Sequence, residues 1–226
     1  MRLIIFDLDG TLVDSLPDLV QAVNAAMADY GCPPVGRERV APWVGRGSRV
    51  LLQLALDHHA VDSAAPGFDF ERAFARFMVH YGEHLLGETR LYKGVADTLA
   101  ALSGRGITMA VCTNKPERFV APLLQALGIG HYFAALLGGD SLAERKPHPA
   151  PLLHLARQFG VAPGDCLMVG DSRHDVEAAR AAGMAVVGLS YGYGGDRDFA
   201  IAPPDRVLAA MAELPAWLDH CNARLR

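Results

Sequence analysis

The sequence has four cysteines in 226 residues, Cys32, Cys112, Cys166 and Cys221, and they lie far apart with no CxxC pair among them. A reduced, cytoplasmic setting is the simplest reading of that spacing. Cys112 and Cys166 sit in apolar, strand-like runs and are expected as small buried hydrophobes. There is no lysine or arginine run either, and the net charge is only −4 with both signs scattered along the chain. This argues against a nucleic-acid-binding face and against an anionic membrane target. An anionic ligand must then be attracted by a local constellation or a metal, because bulk charge will not supply the pull. Long apolar stretches are also missing. One arginine and four apolar residues, Leu3 to Phe6, precede Asp7, which reads as neither a signal peptide nor a membrane span. No repeat or low-complexity segment breaks the chain, and Asp62–Gly67 reads as an ordinary loop.

The chain does have ample material for a core, with 51% apolar residues. Four short apolar runs recur, Leu3–Phe6, Ile107–Cys112, Cys166–Val169 and Ala185–Leu189, with a weaker one at Ala134–Leu137 before Gly138 and Gly139. Continuous apolar runs of this length suit strands buried on both faces, the parallel-sheet pattern. Helical stretches lie between them at Val95–Leu102, Glu117–Leu127, Pro149–Phe159 and Ser172–Ala182. The alternation predicts an α/β fold with a doubly wound parallel sheet. Gly128, Gly160 and Gly183 stand where helices should stop, and Pro116 and Pro149 where they should start.

One connection breaks this rhythm. About a hundred residues separate the first strand from Ile107, where a crossover needs about a dozen. The excess is helical. Leu16, Leu19, Val20, Val23, Met27 and Tyr30 share one face, as do Phe70, Phe74, Phe77, Met78, Tyr81 and Leu85. Residues 16–87 are therefore expected to form an inserted α-helical cap on a core made of 1–15 and 88–226.

Each polar cluster follows an apolar strand, and in a parallel sheet those ends converge on one edge, where open α/β folds bind ligands. Asp7 and Asp9 are two apart, so an extended segment points both the same way. Side by side they repel unless a cation or proton separates them, and Gly10 lets the backbone turn closely around whatever sits there. Mg²⁺ fits that setting, since it takes one or two carboxylates plus substrate oxygens and waters. Thr113 and Asn114 lie at the mouth of a helix, where a hydroxyl and free N–H groups make a phosphate cradle, although ordinary N-capping, taken alone, is the stronger account of them. Lys146, held extended by Pro147, can aim a charge at a phosphoryl oxygen or simply be a solvated loop lysine. Asp171 completes a metal site with Asp175 in support, or both are helix-start acids placed for the dipole.

In that order, FDLDGTLVDS, TNK, RKPHP and VGDSRHD resemble the four successive motifs of the haloacid dehalogenase superfamily of phosphatases, over essentially the whole chain. The resemblance implies a Rossmann-like core with an α-helical cap. It implies that Asp7 attacks phosphorus to give an aspartyl-phosphate, that Asp9 protonates the leaving alcohol and then activates water, and that Lys146 stabilises the phosphoryl group held by Thr113 and Asn114. It further implies Mg²⁺ bound by Asp7, Asp171 and the main-chain carbonyl of Asp9, with Asp175 nearby. Asp9 sets the chain apart from the superfamily's dehalogenases, which lack an acid at that place.

DSLPDLVQAVN, PWVGRGS, NKPERFVAPLL, RKPHPAPLL and GLSYGYG look like the bacterial phosphoglycolate phosphatase group within that superfamily, which converts 2-phosphoglycolate to glycolate. Arg46 and Ser48 depart from the group's WVGNGA, and Lys93 replaces a common proline before Gly94. Either Arg46 or Arg49 is a candidate for the substrate's carboxylate; surface arginines on a cap helix are the alternative. The expected partner is a small phosphate ester, met by a monomer or homodimer. Rival readings are another phosphatase, a pyrophosphatase or a β-phosphoglucomutase-like phosphomutase and, more distantly, a non-catalytic phosphate-binding protein. His80–His84 spells HxxEH, a zinc-peptidase spacing, but Gly82 weakens the helix and no third ligand follows. Gly192–Gly195 reads as a plain loop after the last strand.

Overall fold

A computed structural model describes residues 1–63 and 67–224, with side chains through His220. The expected loop at Asp62–Gly67 and the Cys221 side chain therefore fall partly or wholly outside the described residues. The first half runs β1 (Leu3–Phe6), β2 (Val13–Asp14), α1 (Leu16–Ala28), α2 (Arg37–Val40), α3 (Ser48–His58), α4 (Phe70–Glu83) and β3 (Arg90–Leu91). There follow α5 (Val95–Gly104), β4 (Thr108–Cys112), α6 (Glu117–Ala126), β5 (Ala135–Leu137) and α7 (Ala150–Gln158). The chain closes with β6 (Cys166–Gly170), α8 (Arg173–Ala182), β7 (Ala185–Leu189), α9 (Gly195–Ile201), β8 (Arg206–Leu208) and α10 (Leu214–Arg224).

Six strands form a parallel sheet in the order β5-β4-β1-β6-β7-β8. The first strand is thus at its centre, and Phe6 lies level with Val111 on one side and Val169 on the other. Its side chains alternate between two cores. Ile4 and Phe6 join one cluster, and Leu3 and Ile5 join the other across the sheet. All four are fully buried, which is why the run shows no polar alternation. Cys112 and Cys166 are buried as expected, and burial pushes their thiols up to about 12 and about 11.

Helices α1 to α4 form an insert bracketed by a two-stranded antiparallel ribbon, in which Val13 pairs with Leu91 and Asp14 with Arg90. Buried Asp18 locks the return. Its carboxylate accepts the main-chain N–H groups of Glu88 and Thr89 and the Thr89 hydroxyl, at 2.6–2.9 Å. The apolar faces expected in the insert are present. Leu16, Leu19, Val23, Met27, Phe77 and Tyr81 share one core cluster with Ile4 and Phe6. Tyr30 and Leu85 are corrections: α1 stops at Ala28 and α4 at Glu83, so Tyr30 lies beyond its helix, 38% exposed against Phe68, while Leu85, past α4, is still buried. Phe70, Phe74, Phe77 and Tyr81 stack in succession along α4, and Tyr81 meets Phe119 of α6 edge-on at 5.1 Å. That ladder carries the insert's aromatic face down to the sheet edge.

Three further elements differ from expectation. Residues 192–194 are a loop after β7 as expected, but Gly195 opens α9. Edge strand β8 has two exposed residues among its three, so it shows no apolar run. His84 lies just past the end of α4 and does not share a helical turn with His80.

Candidate active site

The sheet topology sets the site. Asp7 follows β1, and its N–H still donates to the Val169 carbonyl at 2.9 Å, so the aspartate is fixed as the next rung of the ladder. Thr113 follows β4 in the same manner, donating to the Leu137 carbonyl at 2.9 Å. Asp171 follows β6. Because β1 lies between β4 and β6, these three residues arrive on one edge at the centre of the sheet.

Asp7, Asp171 and Asp175 bring carboxylate oxygens within 4.8 Å of one another, and all three are buried. Lys146 is the counterweight, with its ammonium 2.9 Å from Asp7 and 2.6 Å from Asp175. Each acid is anchored differently. Asp175 takes Lys146 on one oxygen and both the N–H and hydroxyl of Ser172 on the other. It therefore serves the start of α8 and the lysine together. Asp171 accepts the Thr11 hydroxyl at 2.9 Å and the N–H groups of Tyr193 and Gly194 at 2.7 and 3.2 Å. The segment after β7 thus wraps this carboxylate. Gly10, at φ +88°, allows the approach, since a Cβ there would stand 2.5 Å from an Asp171 oxygen.

The charge balance is incomplete. Burial pushes the Asp7 carboxyl up to about 7; Lys146 pulls it back and Asp175 raises it further. Asp171 is held well above the usual range by burial first and then by the charges of Asp7 and Asp175. Burial alone would lower the Lys146 ammonium, but Asp175 and Asp7 outweigh it and hold the group charged. One ammonium among three close carboxylates leaves negative charge uncompensated, and a hard divalent cation with oxygen ligands suits that donor set. Among the described residues this is the one such cluster of potential ligands, and His80 and His84 belong to none.

Asp9 faces the insert side of the site. It accepts Ser15 Oγ at 2.5 Å and Lys115 Nζ at 3.0 Å. Lys115 is itself paired with the Tyr81 hydroxyl at the foot of the aromatic ladder. The Asn114 side chain is committed elsewhere. Its amide donates to the carbonyls of Gly45 in the insert and Lys146 in the sheet edge, both at 2.8 Å, so neither amide N–H is left for a phosphate. Its side chain clamps the insert to the lysine loop, while its main-chain N–H meets no acceptor among the described residues.

The two candidate arginines of the insert separate. Exposed Arg46 lines a cavity of ≈150 Å³ together with Asp7, Asp9 and Asp171. Arg49 does not reach it. Its guanidinium forms an ion pair with Glu71 and lies over the Phe70 and Phe74 rings on the insert surface. Sequence reasoning missed Lys115, Tyr81 and Tyr193. Lys115 adjoins the Thr113-Asn114 pair, and its position in that polar cluster was the available signal. Tyr81 was visible only as one more apolar residue on a helix face.

Comparison with known proteins agrees with this geometry. The model of the haloacid dehalogenase-like hydrolase family matches residues 4–189, spanning both the insert and the sheet edge. "Phosphoglycolate phosphatase 1" of Pseudomonas aeruginosa is 47% identical over 97% of this chain and 80% of its own. "Phosphoglycolate phosphatase" of Haemophilus influenzae is 46% identical over 94% and 96%. The crystal structure of a predicted phosphoglycolate phosphatase from Haemophilus somnus superposes with a TM-score of 0.91 at 43% identity, covering 96% of this chain and 98% of that one. With the central strand from Ile4 onward, the acid cluster beyond it and the insert between β1 and β4 inside the matched span, the chain belongs to the haloacid dehalogenase-like hydrolase family.

Proposed function

We propose that the chain is a Mg²⁺-dependent phosphatase that hydrolyses 2-phosphoglycolate to glycolate and phosphate through an aspartyl-phosphate on Asp7. The observation that carries this is the pairing of Asp7 with Lys146 and two further buried carboxylates at the central strand end, with Asp9 two residues on. The substrate comes from the relatives' names, at 45–48% identity over nearly the whole chain. In this reading residues 16–87 are a cap over a core of 1–15 and 88–226.

A carboxylate is a poor nucleophile toward a phosphate dianion, so charge must be masked before Asp7 can approach. Asp7, Asp171 and the Asp9 carbonyl would hold Mg²⁺, with Asp175 behind them. Bound there, the ion offsets the charge of the phosphate and the nucleophile. Lys146 adds its ammonium from the other side, held in place by Asp175. Thr113 Oγ accepts the Lys115 N–H at 3.2 Å, which leaves the Thr113 hydroxyl proton to donate to a phosphoryl oxygen. The N–H of Asn114 is free to do the same.

In the first step Asp7 forms a bond to phosphorus as the bond to the ester oxygen breaks, and that oxygen takes the proton carried by Asp9. In the second, a water gives its proton to the Asp9 carboxylate and attacks phosphorus, and the Asp7–phosphorus bond breaks to release phosphate. Asp9 gives up one proton in the first step and regains one in the second, so the acid–base account closes. The cap excludes water during the first step and must admit one for the second.

Initial rates on a panel of phosphate esters, with and without Mg²⁺, test this reading. We expect turnover only with the metal and the highest kcat/KM on 2-phosphoglycolate. A different best ester would remove the substrate assignment, and metal-independent turnover would remove the cofactor.

A further inference from the structure

The arginines of the insert do not explain how a carboxylate would be selected, because Arg49 is committed to Glu71 and Arg46 is exposed. On the other side of Asp7 and Asp9 lies a smaller cavity of ≈40 Å³. Leu19, Trp43, Val44 and Leu51 of the insert form much of its apolar wall, and Thr113 and Lys115 join the two aspartates on its polar side. Among the described residues lining it, Lys115 is the only cation. Its side chain is 1% exposed, so bulk solvent does not reach it. An ammonium has three N–H donors, and this one meets Asp9 Oδ1 and the Tyr81 hydroxyl, with no third acceptor among the described residues. A dry cation with a spare donor, facing a cavity of a few atoms' size, is a place for a second anionic group.

The connectivity of the substrate fits that place. For Asp9 to protonate the leaving oxygen, that oxygen must lie within hydrogen-bond reach of the Asp9 carboxyl. In 2-phosphoglycolate the carboxylate is two bonds beyond that oxygen, across one methylene. Lys115 Nζ is bonded to the same Asp9 carboxyl at 3.0 Å. A short chain that places its ester oxygen on Asp9 therefore brings its carboxylate to Lys115. A long or neutral leaving group finds an apolar wall and leaves the ammonium without a new partner.

Resting on the phosphoglycolate reading above, we propose that Lys115 is a specificity-determining residue that receives the carboxylate of the leaving group, with Tyr81 of the insert as its positioning residue. Tyr81 sits at the foot of the stacked α4 ladder and against Phe119, so its hydroxyl is delivered by packing on both sides. The carboxylate is selected by the junction between sheet edge and insert, and by neither part alone.

The test compares 2-phosphoglycolate with ethyl phosphate, which has the same ester oxygen on a methylene but no carboxylate, in the presence of Mg²⁺. We expect wild-type kcat/KM to favour phosphoglycolate by at least about 30-fold, the order that a charged hydrogen bond supplies. Lys115→Met should erase that ratio through a rise in KM for phosphoglycolate alone, any loss of kcat being shared by both esters. Tyr81→Phe should raise KM for phosphoglycolate a few-fold and spare ethyl phosphate. If Lys115→Met fails to fold, Lys115→Gln enters the same comparison. Equal loss on both esters, carried by kcat, overturns the proposal and reduces Lys115 to a support for Asp9. A wild type indifferent to the carboxylate overturns it too, with the hydrolase reading intact. A wild type that prefers another carboxylate-bearing ester, with the preference lost in Lys115→Met, refutes phosphoglycolate and keeps Lys115.

Discussion

The sheet edge and the helical insert use charge in opposite ways. At the sheet edge Asp7, Asp171, Asp175 and Lys146 are all buried, and their carboxylates are tied by main-chain N–H groups, hydroxyls and the lysine. In the insert the ion pairs Arg49–Glu71 and Arg76–Asp29 are exposed to solvent, and the order comes from the stacked aromatics and the apolar faces of α1 and α4. Buried charges cannot relax, so they hold geometry at an energetic cost, and a reaction that depends on placement belongs there. Solvent-facing pairs contribute little, so the insert takes its order from apolar packing and not from its charges. The two regions meet at the contacts of Lys115 with Tyr81 and of Asn114 with the Gly45 carbonyl.

The largest effect that this contrast predicts is at Asp7, the proposed nucleophile. Asp7→Asn should lower kcat on the best phosphate ester by more than about 10⁴-fold, the order seen when the reacting group is removed. It should also abolish labelling of the protein by radioactive phosphate from the substrate. Rapid turnover with no label lost would show that the sheet edge does not react through Asp7.

Lys146→Met comes next, because it removes the cation that two buried carboxylates share. Breaking a buried pair in this way costs about 3–5 kcal/mol of stability, readable from urea unfolding, alongside a large loss of kcat. A variant as stable as wild type would mean that the edge charges are far better hydrated than their burial implies.

The acid cluster also links metal, proton and stability. Burial, eased by Lys146 and aggravated by Asp175, raises Asp7 from 3.8 to about 7 in the folded chain. Because the folded state holds this proton more tightly than the unfolded state, Asp7 lowers the stability of the metal-free protein as pH rises from about 4 through about 7. Mg²⁺ bound at this cluster would compete with that proton, so the gain in Tm on adding Mg²⁺ should be larger at pH 8 than at pH 5. Equal gains at both values would place the metal elsewhere than the Asp7 cluster.

The smallest effect belongs to the insert surface. Arg49→Ala breaks an exposed pair and should leave KM for the substrate unchanged within about twofold. A clear rise in KM would bring that arginine into the site in a conformation other than this one, and would blur the line between the two regions.

Much of the edge was legible because parallel strands buried on both faces leave a simple trace. Leu3–Phe6 and Cys166–Val169 were recognisable as apolar runs, and the polar residues after them had to fall together. The short ribbon at Val13–Asp14 and Arg90–Leu91 left no trace, since two residues carry no periodicity. The Tyr193 and Gly194 N–H groups that hold Asp171 were equally invisible, because a main-chain donor has no letter in the sequence.

By itself the sequence determined the family, the central strand and the order in which the acids arrive, because burial and motif spacing are local properties of the chain. Only the tertiary structure decided how the charges divide. It committed Arg49 to Glu71 and turned the Asn114 amide to the Gly45 carbonyl. It also set Lys115 between Asp9 and a tyrosine 34 residues away. Such partnerships depend on which surfaces dock, and docking is settled by packing between elements that no local pattern records.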